Sequence, residues 1–358
     1  MRLPVKAQDR IAGALQAFSG KFLPIRMHRL HGGLGGVYLL TNSKNTSVAV
    51  FKPVNEEVKD EYRDASFSCP NSFLDDDVDP FPRSVTTTIQ LCNSISTAGD
   101  GAVREIIAFL LGENFASVPP TGMALVSHGV SVPRLGALQK FIPNAGTAGE
   151  FSPTMFPIDD VHRIGALDIR LLNRDRNDGN ILVTLSSNSQ CPGSPAHSPG
   201  SRCQVSSIRP IDHGLILPEN FGTIHCVDWS WLSWPQAKIP FSTATLRLIS
   251  DIDVEADAAL LRHLGISESA IECMVTSTIF MKMAAMSGWT LADIGSAVVR
   301  DYNRPDTPSL LEVLIDRAHD KYGYFNCDAV TVCIKDHSSL GNKQAHSLHS
   351  SRGRENDS

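Results

Sequence analysis

Positive charge is in short supply: 32 lysines and arginines face 38 aspartates and glutamates, a formal net charge of −6 over 358 residues. That balance gives no electrostatic footprint for nucleic acid, and none for an anionic membrane attracted through charge alone. No apolar run approaches the ~18 residues that a membrane-spanning helix requires. The 8 cysteines (Cys69, Cys92, Cys191, Cys203, Cys226, Cys273, Cys327, Cys333) include no C-x-x-C pair. This argues against a zinc site and fits reduced thiols in a cytosolic protein. Cys191 and Cys203 share one loop and would bridge only under oxidation. The start of the chain lacks the continuous apolar stretch of a signal peptide. Ile11, Leu15 and Phe18 instead recur at helical spacing, which reads as a short amphipathic lead-in helix, with a transit peptide the lesser alternative. No internal repeat is visible. With 42% hydrophobic and 20% charged residues, the composition is ordinary for a globular protein and long enough for one large domain or two lobes.

The stretch that carries chemistry is Asp168 to Val183, DIRLLNRDRNDGNILV, with PIDHG following at Pro210 to Gly214. An Asp, an Asn five positions on, an apolar strand and a second Asp before His-Gly is the order that phosphoryl transfer needs. Asp175 would orient or deprotonate an attacking hydroxyl, while Asn180 and Asp212 would hold Mg²⁺. Oxygen donors suit that hard ion. An isolated D-x-x-x-x-N is weak, because both residues are common in turns; its weight comes from the elements upstream.

Between Leu30 and Lys52 a strand leads into Gly32, Gly33, Leu34, Gly35 and Gly36, then VYLL, a polar turn and VAVFK. This reads as a hairpin with a glycine-rich tip, where backbone N–H groups can approach an anion because no Cβ intervenes. A plain flexible turn reads equally well. Lys52 ends the second strand, where a kinase places the cation that grips nucleotide phosphates; taken alone it is a solvated strand-end lysine. Residues 53–100, rich in Asp, Ser, Thr and Pro, show no period and read as a long surface insertion. Its Asp75-Asp76-Asp77 run reads as a solvated charge cluster. Helical spacing returns over Gly101 to Phe115, with Asp100 as candidate N-cap. Glu105, in its first turns, would pair with Lys52, or simply favour the helix dipole.

Short β-type runs broken by PP and HG fill Ser117 to Val132. Leu135 to Ile142 is then an apolar segment whose backbone, at Gln139, Lys140, Phe141 and Ile142, is placed to bond adenine. Ile158 to Asn173 reads as a helix capped by Asp159 or Asp160, delivering the chain to Arg174 to Asn180. ILVTL is a strand, Ser186 to Ser207 a Ser/Pro/Gly-rich loop, and SIRPI a strand carrying Asp212 toward Asn180. Helices are expected over Thr243 to Ser250, Val254 to Leu264, Glu268 to Met286, Leu291 to Tyr302 and Ser309 to Tyr322. Met274, Met281, Met283 and Met286 read as core filler. Trp229, Trp231 and Trp234 read as packed within the fold rather than dipped into a bilayer. From Lys335 onward the polar tail is expected to be disordered.

Taken together, GGLGGVYLL, VAVFKPVNEE, GAVREIIAFLL, NFASVPPT, LQKFIPNAG, VHRIGALDIRLLNRDRNDGN, PIDHGLILPE, DWSWLSWPQA and PFSTATLRLI resemble the phosphatidylinositol 3-/4-kinase-like superfamily. Within it the pattern is similar to the plant-type gamma group of phosphatidylinositol 4-kinases, from about Leu30 to Asp301. The resemblance implies an α/β (α+β), bilobal protein-kinase-like fold with a β-rich N-lobe and a mostly helical C-lobe. Its expected boundaries are a lead-in at 1–29, an N-lobe at 30–142 with the insertion 53–100, a C-lobe at 143–334 with the insertion 186–207, and a tail at 335–358. The short lead before Leu30 is expected to leave no room for the N-terminal ubiquitin-like domain that the gamma group often carries. By the same resemblance Gly32 to Gly36 covers the phosphates and Lys52 holds them, with Glu105 as its partner. Leu138 to Phe141 is the adenine hinge, Arg174 to Asn180 the catalytic loop, and Asp212 a metal ligand.

One position departs from the pattern. Lipid kinases of this superfamily usually read Asp-Arg-His in the catalytic loop, and here the third residue is Asn177, which can donate a hydrogen bond but supplies no base. His213 to Pro235 contains no Lys or Arg, whereas a polyphosphorylated headgroup would call for such forks. The expectation is an ATP- and Mg²⁺-dependent kinase, with Mg-ATP held between two lobes. Its acceptor would be phosphatidylinositol at the inositol 4-position, and its place the cytoplasm with peripheral membrane contact. The rivals are a protein Ser/Thr kinase of the same fold and a catalytically dead scaffold, the latter opposed by the presence of Lys52, Asp175, Asn180 and Asp212 together.

Overall fold

A computed structural model describes residues 4–15, 22–23, 25–30, 35–57, 87–92, 100–128, 132–186, 204–300, 304 and 306–322. The chain divides into two compact units, the first comprising Met1–Asn144, Ile211–Gly214 and His263–Gly265 and the second the remainder. The first is rich in sheet and the second in helix, the α+β pattern expected.

In the first unit, helix α1 (Val5–Leu15) precedes β1 (Phe22–Leu23), β2 (Arg26–Leu30), β3 (Val37–Thr41), β4 (Ser47–Pro53) and β5 (Thr87–Leu91). Helix α2 (Asp100–Ala116), β6 (Thr121–His128) and β7 (Arg134–Lys140) complete it. The strands form one sheet in the order β1-β5-β6-β7-β4-β3-β2, antiparallel throughout. Strand β4 shows why the period works: Ala49, Phe51 and Pro53 are buried while Val48, Val50 and Lys52 alternate with them, the two-residue repeat of a pleated strand. Its register sets Lys52 opposite Ala137 of β7. The TNSK turn before it is closed by the Asn42 side chain, which accepts from the backbone of Lys44 and Thr46, with Asn45 at φ 59°.

Two expectations in this unit are corrected. TTIQL, read as part of a long surface insertion without period, is β5, an interior strand between β1 and β6; five residues inside a polar tract were too few to show a period. Residues 58–86 and 93–99 of that stretch, with Asp75 to Asp77, lie outside the described residues. The broken runs expected over Ser117 to Val132 contain one continuous strand of 8 residues, β6. Helix α2 is buried on nearly all sides, with Ile106, Ile107, Ala108 and Phe109 fully enclosed.

The second unit holds β8 (Gly146–Thr147), α3 (Ile158–Leu171), β9 (Asp175–Arg176), β10 (Ile181–Leu185), β11 (Val205–Pro210) and β12 (Asp228–Trp229). Helices α4 (Thr243–Ser250), α5 (Val254–His263), α6 (Glu268–Met286), α7 (Leu291–Val298) and α8 (Leu310–Tyr322) follow. A sheet ordered β11-β10-β8 and a two-stranded pair β12-β9 supply its strands. Helix α3 is the hub, packing on α4, α6 and α7. A side chain at Gly165 would collide with Leu291 of α7 at 2.5 Å, so only glycine lets these helices approach so closely. Helix α6 is buried over most of its length, and its buried residues include hydroxyls. Thr278 donates to Met274 O (2.7 Å), and Ser277 to Arg170 O of α3 (3.0 Å).

Helix α3 stops two residues before the expected end, because Leu172 adopts the left-handed conformation (φ 50°). Neither Asp159 nor Asp160 caps it: the N-cap is Pro157, without a side-chain bond. Asp159 instead accepts from the hydroxyls of Ser242 and Thr245 (2.7 and 3.0 Å). Asp160 takes Arg163 and the Ile208 N–H (2.5 and 3.1 Å). Helix α7 ends at Val298 rather than Tyr302, since Val299 is extended (ψ 150°). Met274 and Met281 are fully buried as expected, but Met286 is 58% exposed. Trp229, Trp231 and Trp234 are all buried. Cys191, Cys203 and the tail from Lys335 lie outside the described residues.

Candidate active site

The first unit assembles a charged cluster from three distant positions. Lys52, at the end of β4, places Nζ 2.5 Å from Glu105 Oε1 of α2 and 2.9 Å from Asp212 Oδ1. Glu105 is almost fully enclosed, Lys52 is 21% exposed and Asp212 49%. The second Glu105 oxygen, Oε2, lies 3.6 Å from Nδ1 of the buried His213. Burial alone would lower the Lys52 pKa, but the charges of Asp212 and Glu105 outweigh it and hold the ammonium well above the ordinary lysine range. Burial would likewise raise Glu105, and Lys52 with His213 overrides it, driving the carboxyl well below the usual glutamate range. Asp212 sits at φ 55°, a left-handed conformation that Asp tolerates better than most residues. Such local strain clusters where a side chain must be aimed.

The predicted glycine tip is described at Gly35 and Gly36; Gly32, Gly33 and Leu34 fall outside. The Gly36 N–H bonds to Glu56 O at 3.1 Å, and a Cβ there would come within 2.0 Å of the Glu56 carboxylate. Close packing against Glu56 thus requires glycine at 36 on its own account. At the expected hinge, Gln139 is buried and donates to Thr121 Oγ1 (3.0 Å). The N–H groups of Lys140 and Phe141 bond to Pro120 O (2.8 Å) and Val48 O (3.1 Å), and Ile142 O accepts from Asn144 (2.8 Å). Those two amides are therefore taken up within the sheet, by the chain leading into β6 and by β4 on either side of β7.

The second unit builds the loop after α3. Asp175 and Arg176 form β9, paired in parallel with Asp228 and Trp229 of β12. Asn177 opens the turn at 178–180: its Oδ1 accepts from Gly179 N (2.8 Å) and its Nδ2 donates to Asp175 Oδ1 (2.6 Å). Asn180 Nδ2 donates to the Asp175 carbonyl at 2.9 Å, with a longer approach to Asp175 Oδ2 at 3.4 Å. Because its amide nitrogen is committed, the Asn180 Oδ1 is the atom left to meet a cation. Asp175 keeps Oδ2 as the carboxylate oxygen with the weaker internal bond.

Beneath this loop lies a buried polar network that the sequence did not reveal. Asp168, on the inner face of α3, accepts from Arg176 Nε (3.1 Å), Asn173 Nδ2 (3.0 Å) and Trp231 Nε1 (3.0 Å). Asn173 passes the order onward, with Oδ1 accepting the Asp175 N–H (3.1 Å) and its carbonyl taking Trp229 Nε1 (2.6 Å). Arg176 Nη1 closes the loop on Asn180 O (2.7 Å). A charged residue on the apolar side of a helix was the available signal, since buried charges persist only when paired. Asp228, beside the loop, has a carboxyl pushed up by burial and by the like charges of Asp175 and Asp178.

Oxygen donors dominate both clusters, which fits Mg²⁺ rather than a thiolate-seeking metal. Asp178 Oδ1 is buried with no hydrogen-bond partner, an electrostatic demand beside Asp175 and Asn180 that a cation would answer. Among the described residues no three His, Cys, Asp or Glu side chains gather into a cage. Nucleotide-borne Mg²⁺ needs only one or two protein oxygens.

The model of the family described as phosphatidylinositol 3- and 4-kinase matches residues 33–294. Among curated proteins, phosphatidylinositol 4-kinase gamma 1 of Arabidopsis thaliana is 37% identical over 308 residues, covering 81% of this chain and 50% of its own length. Phosphatidylinositol 4-kinase gamma 8 of the same plant is also 37% identical, with 81% and 52% covered. Phosphatidylinositol 4-kinase gamma 4 of Oryza sativa subsp. japonica is 32% identical over 337 residues, with 89% and 52% covered. The chain spans about half the length of these relatives. A family model spanning Gly33 to Ile294 includes Lys52, Glu105, Asp175, Asn180 and Asp212, and by that match the chain belongs to the phosphatidylinositol 3- and 4-kinase family.

Proposed function

We propose that this chain is an ATP- and Mg²⁺-dependent kinase that phosphorylates phosphatidylinositol at the inositol 4-position. The observation carrying the reading is the meeting of Lys52, Glu105 and Asp212, residues up to 160 positions apart, around one ammonium. A lysine so held keeps its charge and presents it to phosphate oxygens. Gly32, Gly33, Leu34, Gly35 and Gly36 would lie along the phosphates, and the backbone of Gln139, Lys140, Phe141 and Ile142 beside the adenine. Asn180 and Asp212 would hold Mg²⁺, which supplies neutralisation of charge building on the transferred group. Asp175 orients the acceptor hydroxyl and takes its proton as the new P–O bond forms and the bond to ADP breaks.

The acceptor is inferred from two supports. The relatives are phosphatidylinositol 4-kinases by name, and the segment from His213 to Pro235 offers no Lys or Arg to a phosphorylated headgroup. Contact with the bilayer would be peripheral, as no described helix is long and apolar enough to cross a membrane. A second reading, a protein Ser/Thr hydroxyl as acceptor, is favoured by Asn177 in place of the usual histidine. Radiolabelled ATP offered in parallel to phosphatidylinositol vesicles and to generic protein substrates separates them. Label in lipid is expected; label in protein alone would replace the first reading by the second, and label in neither, without Mg-ATP binding, would leave a scaffold.

A further inference from the structure

Helix α2 carries Glu105, and its own placement is decided by residues outside the charged cluster. Its first-turn N–H groups have no partner within the helix, and the cap comes from a distant side chain. Glu57 accepts the Gly101 N–H on Oε2 at 3.2 Å and the Ala102 N–H on Oε1 at 2.8 Å. The fit is close, since a Cβ at Gly101 would stand 3.0 Å from the Glu57 carboxyl carbon. Glu57 lies in the turn that leaves β4, a few residues beyond Lys52. Its neighbour Glu56 accepts from Tyr38 Oη (2.9 Å) and Arg134 Nη1 (2.5 Å), and the Glu56 carbonyl receives the Gly36 N–H. One short turn therefore ties the lysine strand, the glycine tip and the start of α2.

The far end of α2 is held as well. Arg10 of α1 donates to Leu110 O (3.1 Å) and to Glu113 Oε2 (2.8 Å), and its guanidinium lies 5.6 Å from the Phe109 ring centre. Ile11 and Leu15 of α1 are buried over Gly122, where any side chain would collide with them. This helix precedes the residues that the family model matches.

We propose that Glu57 is a positioning residue: by capping α2 it fixes the register that brings Glu105 onto Lys52, and α1 braces the opposite end through Arg10. Successive residues on a helix point ~100° apart, so a slight rotation at an uncapped start would swing Glu105 off the ammonium. The consequence for phosphate binding rests on the kinase reading; the placement of Glu105 does not.

The test reads Lys52 directly, as its rate of modification by a small amine-reactive reagent in alkaline buffer, by mass spectrometry on protein shown folded by circular dichroism. Glu57→Ala is expected to raise Lys52 labelling about fivefold, the scale of a lost helix cap. Glu57→Gln, which keeps one acceptor oxygen, should fall between, and carries the test if the alanine variant does not fold. Arg10→Ala should give a smaller rise, because that pair is partly solvated. In a Glu105→Gln background, Glu57→Ala should add nothing further. Unchanged labelling in the folded variants, or the same rise in the Glu105→Gln background, would reduce Glu57 to a generic stabiliser and overturn the proposal. Should the wild-type protein neither bind nor turn over Mg-ATP, the kinase reading falls while the labelling comparison still decides the brace. Where ATP is turned over, Glu57→Ala should raise its KM more than it lowers kcat.

Discussion

Asn177 shows how much one amide can settle. Anchored by Gly179 N and donating to Asp175 at 2.6 Å, it is a donor that no pH within the working range removes. A histidine there would make the environment of Asp175 titratable. Asn177→His is expected to add an inflection near pH ~6.5 to the kcat/KM profile, measured in buffers of matched ionic strength; a profile identical to wild type would mean that residue 177 does not sense the base. Glu105 makes the complementary case. Its pKa is held below the ordinary 4.5, so its charge stabilises the fold above that pH, and the contribution fades as pH falls through the depressed value. Lys52 works in the opposite sense: its contribution is complete below the ordinary 10.5 and fades only as pH rises beyond it. Glu105→Gln should therefore cost ~3 kcal/mol at neutral pH, as breaking a buried pair does. Urea titrations should show the gap to wild type closing in acid. Asp175→Ala is expected to lower kcat by about 10²- to 10⁴-fold with the melting curve little changed.

At the scale of elements, periodicity predicted α2, α3, α4 and α6 well, because long amphipathic or buried helices repeat their pattern several times. It failed where elements are short or governed by partners elsewhere. Strand β5 has five residues, and the α3 cap went astray because Asp159 found hydroxyls on Ser242 and Thr245. The loop after α3 was legible as a motif, yet what holds it was not. Asp168 and Trp231 lie 63 positions apart, and nothing in either neighbourhood announces the other. Trp231→Phe strips Asp168 of one donor and, because phenyl is smaller than indole, leaves a void at a fully buried position. It should lower stability by ~1–3 kcal/mol and, by loosening Asn173 and Asp175, lower kcat beyond what the stability loss explains. Gly165→Val would drive a side chain into Leu291, with an expected cost of ~1–3 kcal/mol from overpacking and no direct effect on nucleotide binding.

For the whole molecule, the kinase reading makes a thermodynamic demand. Mg-ATP at about 100 times its Kd should stabilise the native chain by ~2.7 kcal/mol, visible as a rise in melting temperature, and Lys52→Ala should abolish most of that rise. With two compact units in one chain, unfolding need not be a single transition, so the shift should be followed by a probe in each unit. The α+β content, the order of the chemically active residues and the family were all legible before any coordinate, since local period, turn chemistry and motif spacing are written along the chain. Tertiary structure alone decided which of those residues meet. Ile211 to Gly214 group with the first unit although the residues on both sides belong to the second, which is how Asp212 reaches Lys52. Only packing selects, among many carboxylates of equal chemistry, the two that Lys52 finds and the one that Trp231 and Arg176 keep buried, because burial makes an unpaired charge too costly to leave alone.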